Sequence, residues 1–372
     1  MQNKCDVLIL TAGFGTGHVA VSQALKEHVF AQDSTIKIHV ADIYEVIHPL
    51  AYKLIYNGYE LLVRQFPQLY NKYYYAKEKY ALFLKFDTTA HYCIKRLNNY
   101  LHERDPNVVI STFPSCTGYL TKYKKAYRSK MPLLTCITDV VDNNEWLYAE
   151  NDIYFVADFL LKQGLIKKGV PKDKILVTGI PIRNRFINNE EKQVLKEQLG
   201  YKPEERIILL MGGGLGLLPK NESFYRWLAN LKNIKIIALT SKNNAIYNKL
   251  QEINSPNIRI FEYCDKVPEY MRISDMLIGK SGGVTLFEAI ASALPIIVYK
   301  PILGQEIENS NYIAEKQIGY VANDLRGLKQ TILKCLEVNT RDKLVDNIKE
   351  LQQSINMKVL AEKIVEFNTR RK

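Results

Sequence analysis

The chain has 372 residues, a length that suits two domains of about 150–200 residues each better than one. Hydrophobic residues make up 47% and charged residues 24%, the balance of a globular protein with a real core rather than a disordered chain. The net charge of +12 favours anionic partners such as phosphorylated small molecules or lipid headgroups. No helix-turn-helix, RRM or zinc-finger signature accompanies it, so nucleic acid is set aside.

Val7–Leu10 reads as a buried strand, too short for the apolar core of a signal peptide. A glycine turn and a helix from His18 to about Phe30 follow it. Lys37–Asp42, Val108–Thr112, Leu133–Thr138, Ile153–Val156 and Ile175–Thr178 read as further short strands separated by helical stretches. A polar helix runs from Asn189 to Leu199, and then the scheme restarts. Ile207–Met211, Lys235–Leu239, Ile258–Phe261, Met276–Gly279 and Pro295–Tyr299 are its strands. The segment from Asp342 to Lys372 is helical in pattern. Short apolar strands alternating with helices predict βαβ units and parallel sheets covered on both faces. The expected fold is α/β, with two Rossmann-like doubly wound domains facing across a crevice that holds the ligand. The boundaries expected are 1–185, 200–350 and a C-terminal helix over 351–372 that packs back on the first domain.

The segment Leu50–Phe86 departs from this scheme. It holds Tyr52, Tyr56, Tyr59, Tyr70, Tyr73, Tyr74, Tyr75 and Tyr80, interleaved with Lys53, Arg64, Lys72, Lys77, Lys79 and Lys85, and Pro67 divides it into two helices. Two readings stand side by side. Tyrosine and lysine at helical spacing suit a membrane interface, and the same pattern suits a tyrosine-rich hairpin packed on the domain. No run approaches the roughly 18 apolar residues of a spanning helix.

Three glycine-rich turns carry the chemistry. In Thr11-Ala12-Gly13-Phe14-Gly15-Thr16-Gly17-His18 a strand ends and a helix begins, so free N–H groups meet an anion and His18 stands at the mouth as a base. Asp42, at the end of the second strand, leaves a dinucleotide site open on this motif alone. Gly212-Gly213-Gly214-Leu215-Gly216 repeats the turn in the second half. Gly279-Lys280-Ser281-Gly282-Gly283 opens a helix whose N-terminus suits a diphosphate, with Glu288 one to two turns in, placed for ribose hydroxyls. Gln305 and Glu306 follow a strand end, where an amide and a carboxylate can hold sugar hydroxyls. There is no D-x-D, and no His/Cys spacing for a metal; a helix N-terminus with Arg183 or Lys280 can carry the leaving-group charge instead. The basic run Lys122, Lys124, Lys125, Arg128, Lys130 reads first as a solvated helix face. His28, His39, His48, His91 and His102 read as structural.

Taken together, several of these segments are familiar. They are the glycine loop ending in His18, Ser111-Thr112-Phe113-Pro114, Thr138-Asp139 with Trp146, Thr178–Arg183, Gly212–Gly214, Gly282-Gly283 with Glu288, and Gly304-Gln305-Glu306 with Asn309. With them the chain resembles the monogalactosyldiacylglycerol synthase and processive diacylglycerol glucosyltransferase group, relatives of the peptidoglycan GlcNAc transferase. The resemblance implies a GT-B fold and an inverting, metal-independent, cofactor-free transferase. It would move glucose or galactose from UDP-glucose or UDP-galactose to diacylglycerol, on the anionic inner face of the cytoplasmic membrane. It implies His18 as general base with Asp139 as a second candidate. Gly17, Arg183, Gly213, Gly214, Ser281, Gly282 and Gly283 would bind the diphosphate, Glu288 the ribose, and Gln305 and Glu306 the sugar. Trp146 and Phe113 would stand near the acceptor. One departure is Asn143, in a stretch where many members place a His. The competing readings are GlcNAc transfer to a polyprenyl-linked acceptor, a UDP-sugar 2-epimerase, and a membrane-bound UDP-sugar sensor without turnover.

Overall fold

The computed structural model describes residues 4–80, 90–187 and 190–370. Lys85, and the side chains of Lys77, Lys79 and Tyr80, lie outside the described residues.

In chain order the first elements are β1 (Val7–Thr11), α1 (Gly17–Gln32), β2 (Ile38–Asp42), α2 (Ile43–Ile47), α3 (Tyr52–Gln65), α4 (Pro67–Tyr80), α5 (Ala90–Arg104), β3 (Val108–Ser111) and α6 (Pro114–Tyr127). Then come β4 (Leu133–Cys136), β5 (Ile153–Val156), α7 (Phe159–Lys167) and β6 (Ile175–Val177). The chain continues through α8 (Lys192–Gln198), β7 (Arg206–Met211), α9 (Glu222–Ala229), β8 (Ile234–Leu239), α10 (Asn244–Ile253), β9 (Ile258–Phe261), α11 (Val267–Ile273) and β10 (Met276–Gly279). It closes with α12 (Gly283–Ala291), β11 (Ile296–Tyr299), α13 (Gly304–Glu315), β12 (Gly319–Ala322), α14 (Leu325–Leu336), α15 (Val338–Gln353) and α16 (Met357–Thr369). Two compact units result: Met1–Arg183 with Ser354–Lys372, and Asn184–Gln353.

In the first unit the strand order is β2-β1-β3-β4-β5-β6, all parallel. Every residue of β1, β3, β4 and β5 is buried, because helices cover both faces and leave no face for alternation. α16 belongs to this unit and packs against α1, and Asn368 accepts from Asn107 Nδ2 at 2.9 Å. His28 meets the Ile182 carbonyl at 2.8 Å and is structural. Lys124, in the basic run, is buried against Asp152 at 3.2 Å, so this lysine is an internal clamp and not a solvated one.

In the second unit the order is β12-β11-β10-β7-β8-β9, again all parallel. β12 is the strand that sequence periodicity does not reveal: Gly319-Tyr320-Val321-Ala322 is short, opens on glycine and lies at the sheet edge. Gly319 is required there, since a Cβ would stand 2.0 Å from the Ile296 carbonyl oxygen.

α3 and α4 form the hairpin expected from Leu50–Phe86, with Pro67 opening α4 at its first position, where its missing N–H has no intrahelical partner to lose. α3 is two-faced. Tyr52, Tyr56, Tyr59 and Val63 recur at helical spacing on the inward stripe, and Leu54 and Leu61 lie opposite, 74% and 56% exposed. The tyrosines of α3 therefore pack inward, and leucines occupy the outward positions that an interfacial reading assigns to tyrosine. Tyr73 and Tyr75 of α4 remain exposed.

Candidate active site

A doubly wound sheet opens where its strand order reverses, at the carboxyl ends of the two strands flanking the reversal. In the first unit those strands are β1 and β3. The glycine loop follows β1 and Thr112-Phe113 follows β3, so the topology brings together residues about a hundred positions apart. His18 stands on the first turn of α1, whose N-cap Thr16 makes no side-chain hydrogen bond and whose first turn carries no acidic residue. The helix start therefore keeps its partial positive charge.

His18 Nδ1 lies 3.1 Å from the Thr112 carbonyl oxygen and 2.9 Å from Thr138 Oγ1. A carbonyl oxygen only accepts, so Nδ1 carries the proton and donates it, and Nε2 keeps the lone pair. Ser22 Oγ, bonded to Thr112 Oγ1 at 3.0 Å and donating to the His18 carbonyl at 2.9 Å, fixes this corner. The Phe113 ring meets the imidazole edge-to-face at 4.7 Å and stacks on Phe14 at 5.2 Å. Burial pushes the His18 pKa below its ordinary 6.5, opposed by the negative charge of Asp139 and by the Thr112 carbonyl. The result is a neutral imidazole with a fixed tautomer near a carboxylate that steadies it once protonated.

Asp42 is taken up differently from a ribose-binding acid. Its carboxylate accepts from Tyr44 N at 2.8 Å and Glu45 N at 3.3 Å, capping α2, and from Gly13 N at 3.0 Å and the Tyr56 hydroxyl at 2.6 Å. All of its acceptor capacity is engaged inside the protein.

In the second unit the reversal lies between β7 and β10, which carry Gly212–Gly216 and Gly279–Gly283 at their ends. Gly216 has φ +60°, and a Cβ there would stand 1.9 Å from the Thr240 carbonyl oxygen. A Cβ on Gly279 would stand 2.0 Å from the Met211 carbonyl oxygen. These glycines exist because backbone meets backbone. Gly213, with φ +66°, instead faces the flexible Lys280 side chain, 3.9 Å from the Cβ position. α12 begins at Gly283 and α13 at Gly304, neither with a side-chain hydrogen bond from its N-cap residue, and each helix start carries partial positive charge.

Ser281 is buried, and its hydroxyl donates to the Glu306 carbonyl at 2.6 Å while its own carbonyl accepts from Asn309 at 2.6 Å. Its side chain therefore locks the loop to α13, and any grip on an anion from this position comes through backbone. The Lys280 ammonium is ion-paired with the buried Glu306 carboxylate. Glu288 is buried on α12, and Gln305 is half-buried at the start of α13.

The chain matches two protein families in succession: monogalactosyldiacylglycerol (MGDG) synthase over residues 18–182 and the glycosyltransferase family 28 C-terminal domain over residues 207–363. It is 33% identical over 327 residues to the processive diacylglycerol beta-glucosyltransferase of Bacillus cytotoxicus, covering 87% of this chain and 84% of that protein. The chain belongs to the diacylglycerol glycosyltransferase family. The Bacillus subtilis protein of the same description is 28% identical over 369 residues, covering 98% of this chain and 96% of its own. In fold the chain is similar to the crystal structure of Acinetobacter baumannii MurG, with a TM-score of 0.65 at 15% identity, over 97% of this chain and 99% of that one. The two Rossmann-like units are thus of the GT-B class, and the protein is a hexosyltransferase. Membership in a transferase family removes the sensor and the epimerase readings.

Within this diacylglycerol glycosyltransferase the structure gathers His18, Asp139, Phe113 and Gly17 in the first unit, and Gly213, Gly214, Ser281, Gly282, Gly283, Glu288, Gln305 and Glu306 at the strand ends of the second. Arg183 is half-buried at the last position of the first unit's main segment. Trp146 differs from expectation. It is 2% exposed, in a 3-10 turn (Asn144–Trp146) packed on α6 and α4, which leaves almost none of the indole to meet an acceptor. Asn143 accepts from Glu145 N at 3.2 Å and caps that turn. Phe14, Thr112, Thr138, Lys280 and Glu306 all lie in motifs legible in the sequence, but their pairings do not: Thr112 and Thr138 on His18 Nδ1, Phe14 on Phe113, and Lys280 on Glu306. Side-chain partners across a sheet are invisible to spacing along one strand.

Proposed function

We propose that this hexosyltransferase moves glucose or galactose from a UDP-sugar to diacylglycerol in one inverting displacement. The observation that carries the reading is the fixed tautomer of His18: Nδ1–H held by Thr112 leaves Nε2 as a base at the switch point of the first unit. In the proposed step the acceptor hydroxyl gives its proton to Nε2 and its oxygen attacks the anomeric carbon. The bond from that carbon to the phosphate oxygen breaks, and UDP leaves with the electron pair. Asp139 steadies the imidazolium so formed. In the second unit the starts of α12 and α13, Gly213, Gly214 and Lys280 receive the diphosphate charge, with Glu288 on the ribose and Gln305 and Glu306 on the sugar. Arg183 adds a cation. On this reading no metal is required, and turnover persists in excess EDTA.

The acceptor assignment rests on the relatives' descriptions and on the outward leucines of α3, which suit an enzyme meeting its acceptor in a bilayer. No helix among the described residues is long and apolar enough to cross a membrane, and we place the protein on the inner face of the cytoplasmic membrane. The test is transfer from UDP-glucose, and separately from UDP-galactose, to diacylglycerol in anionic vesicles, followed by mass spectrometry. Glycolipid from one donor supports the reading and names the sugar. UDP binding without glycolipid, and transfer only when a polyprenyl-linked acceptor is supplied, overturns it.

Lys280→Ala offers a narrower check. With its ammonium gone, UDP affinity measured by calorimetry falls about tenfold, the worth of one charge-assisted contact. Glu306→Gln, which leaves the ammonium in place and frees it from its partner, keeps UDP affinity while raising KM for the UDP-sugar. Equal loss of UDP affinity in both variants would show that the pair is only structural.

A further inference from the structure

The tyrosine hairpin is built onto the loop that carries the base, and not merely beside it. The Tyr56 hydroxyl lies 2.6 Å from both Asp42 carboxylate oxygens, to which it donates, and accepts from Gly13 N at 2.9 Å. Its ring covers the loop so closely that a Cβ on Gly13 would stand 3.1 Å from it. Phe14 is then held edge-on by Tyr56 at 4.8 Å and by Tyr59 at 4.9 Å, and it stacks on the Phe113 ring that meets His18. From Tyr59 the ring contacts run on to Tyr70 at 5.9 Å, on α4.

The other stripe of the same helix is apolar and open. Leu54 and Leu61 lie two turns apart on α3, Phe66 and Leu69 continue the surface at the turn into α4, and all four are exposed. Lys53 of α3 and Lys72 of α4 are exposed as well. Exposed leucine and phenylalanine on a hairpin that also carries exposed lysines suit an anionic bilayer: apolar side chains enter the acyl boundary and cations meet the headgroups. One rigid helix therefore has a lipid-facing stripe and a stripe that clamps the Gly13–Phe14 turn.

We propose that Tyr56 is a positioning residue through which seating of the α3–α4 hairpin on an anionic lipid surface sets the Gly13–Phe14 turn beside His18. The inference rests on the reading of this protein as a lipid-acceptor transferase with His18 as base, and deepens it by naming how the surface regulates the site. Tyr56 touches no reacting atom. It acts by fixing Phe14 and, through Phe113, the face of the imidazole. Without lipid the hairpin and turn exchange between arrangements; with the outward stripe inserted, one arrangement is held.

The experiment is hydrogen exchange of residues 11–18 in the full chain, with and without vesicles of phosphatidylglycerol and phosphatidylcholine, alongside vesicle sedimentation and steady-state transfer kinetics. In the wild type, vesicles are expected to slow exchange of the Gly13–Gly15 amides. Tyr56→Phe keeps the ring and loses only the hydroxyl. It should sediment with vesicles as the wild type does, show the same exchange with and without them, and lose kcat about tenfold with KM for the UDP-sugar unchanged. Leu54→Gln with Leu61→Gln keeps the Tyr56 contacts and should neither sediment nor gain protection. Vesicle-dependent protection retained in Tyr56→Phe overturns the proposal, as does a wild-type loop indifferent to bound vesicles, or a leucine double variant that still sediments. If the wild type makes no glycolipid yet shows vesicle-dependent protection lost in Tyr56→Phe, the coupling stands and the acceptor assignment falls.

Discussion

His18→Asn is expected to abolish most transfer while leaving the site assembled. The Asn amide can still donate toward the Thr112 carbonyl that His18 Nδ1 meets at 3.1 Å, but it offers no base. General-base catalysis contributes about 10²–10⁴-fold, roughly 3–5 kcal/mol of barrier, so kcat should fall by that factor with KM for the UDP-sugar little changed. An equal rise in KM and fall in kcat/KM would instead make His18 a binding residue. The pH profile gives an independent reading. The base works when neutral, and burial sets the His18 pKa below 6.5, so kcat/KM should rise with pH along an acid limb below 6.5 and stay level above it. The Asp139 charge raises that pKa. Asp139→Asn should therefore move the limb to still lower pH and lower the plateau, because the imidazolium formed in the step loses its counter-charge. A limb that stays in place in Asp139→Asn would remove Asp139 from this role.

Gly216→Ala is the variant with the largest expected loss of stability. The residue has φ +60°, and its new Cβ would meet the Thr240 carbonyl oxygen at 1.9 Å, with Asn243 Cβ at 2.8 Å. Left-handed backbone costs about 1–2 kcal/mol for a residue with a Cβ, and forced overpacking about 1–3 kcal/mol more. Thermal unfolding of the second unit should drop by roughly 10 °C. Gly213→Ala separates strain from collision: its φ is +66°, but the nearest atom is Lys280 Cδ at 3.9 Å. It should lose only about 1–2 kcal/mol yet weaken UDP binding if, as proposed, the diphosphate approaches the backbone at Gly213. Equal melting temperatures for the two variants would show that the Thr240 contact relaxes freely.

Most of the architecture was legible because buried parallel strands are written as unbroken apolar runs; Ile153–Val156, Ile258–Phe261 and Met276–Gly279 agree residue for residue. β12 escaped because an edge strand with glycine and tyrosine carries no such run. The glycine turns were legible as turns. What each glycine avoids was not, since the Thr240 and Met211 carbonyls come from neighbouring strands. The same limit explains Ser281 and Trp146. The resemblance implied a diphosphate role for Ser281 and an acceptor role for Trp146, whereas packing turns the Ser281 hydroxyl toward Glu306 and buries the indole. On α3, tyrosine content suits an interfacial belt and a packed hairpin alike; helical phase decides which side faces out, and Tyr52, Tyr56 and Tyr59 share the stripe of buried Val63.

The return of α16 to the first unit has a bearing on how the protein is made. Leu360, Ile364 and Phe367 are buried in that unit, where α16 lies against α1. A ribosome finishes the second unit, Asn184–Gln353, before it has made this helix. The half that carries His18 therefore waits, its α1 flank uncovered, until Met357–Thr369 has been made. Chains truncated after residue 353 should hold a folded second unit beside a protease-sensitive first one, and restoring the last helix should protect the first.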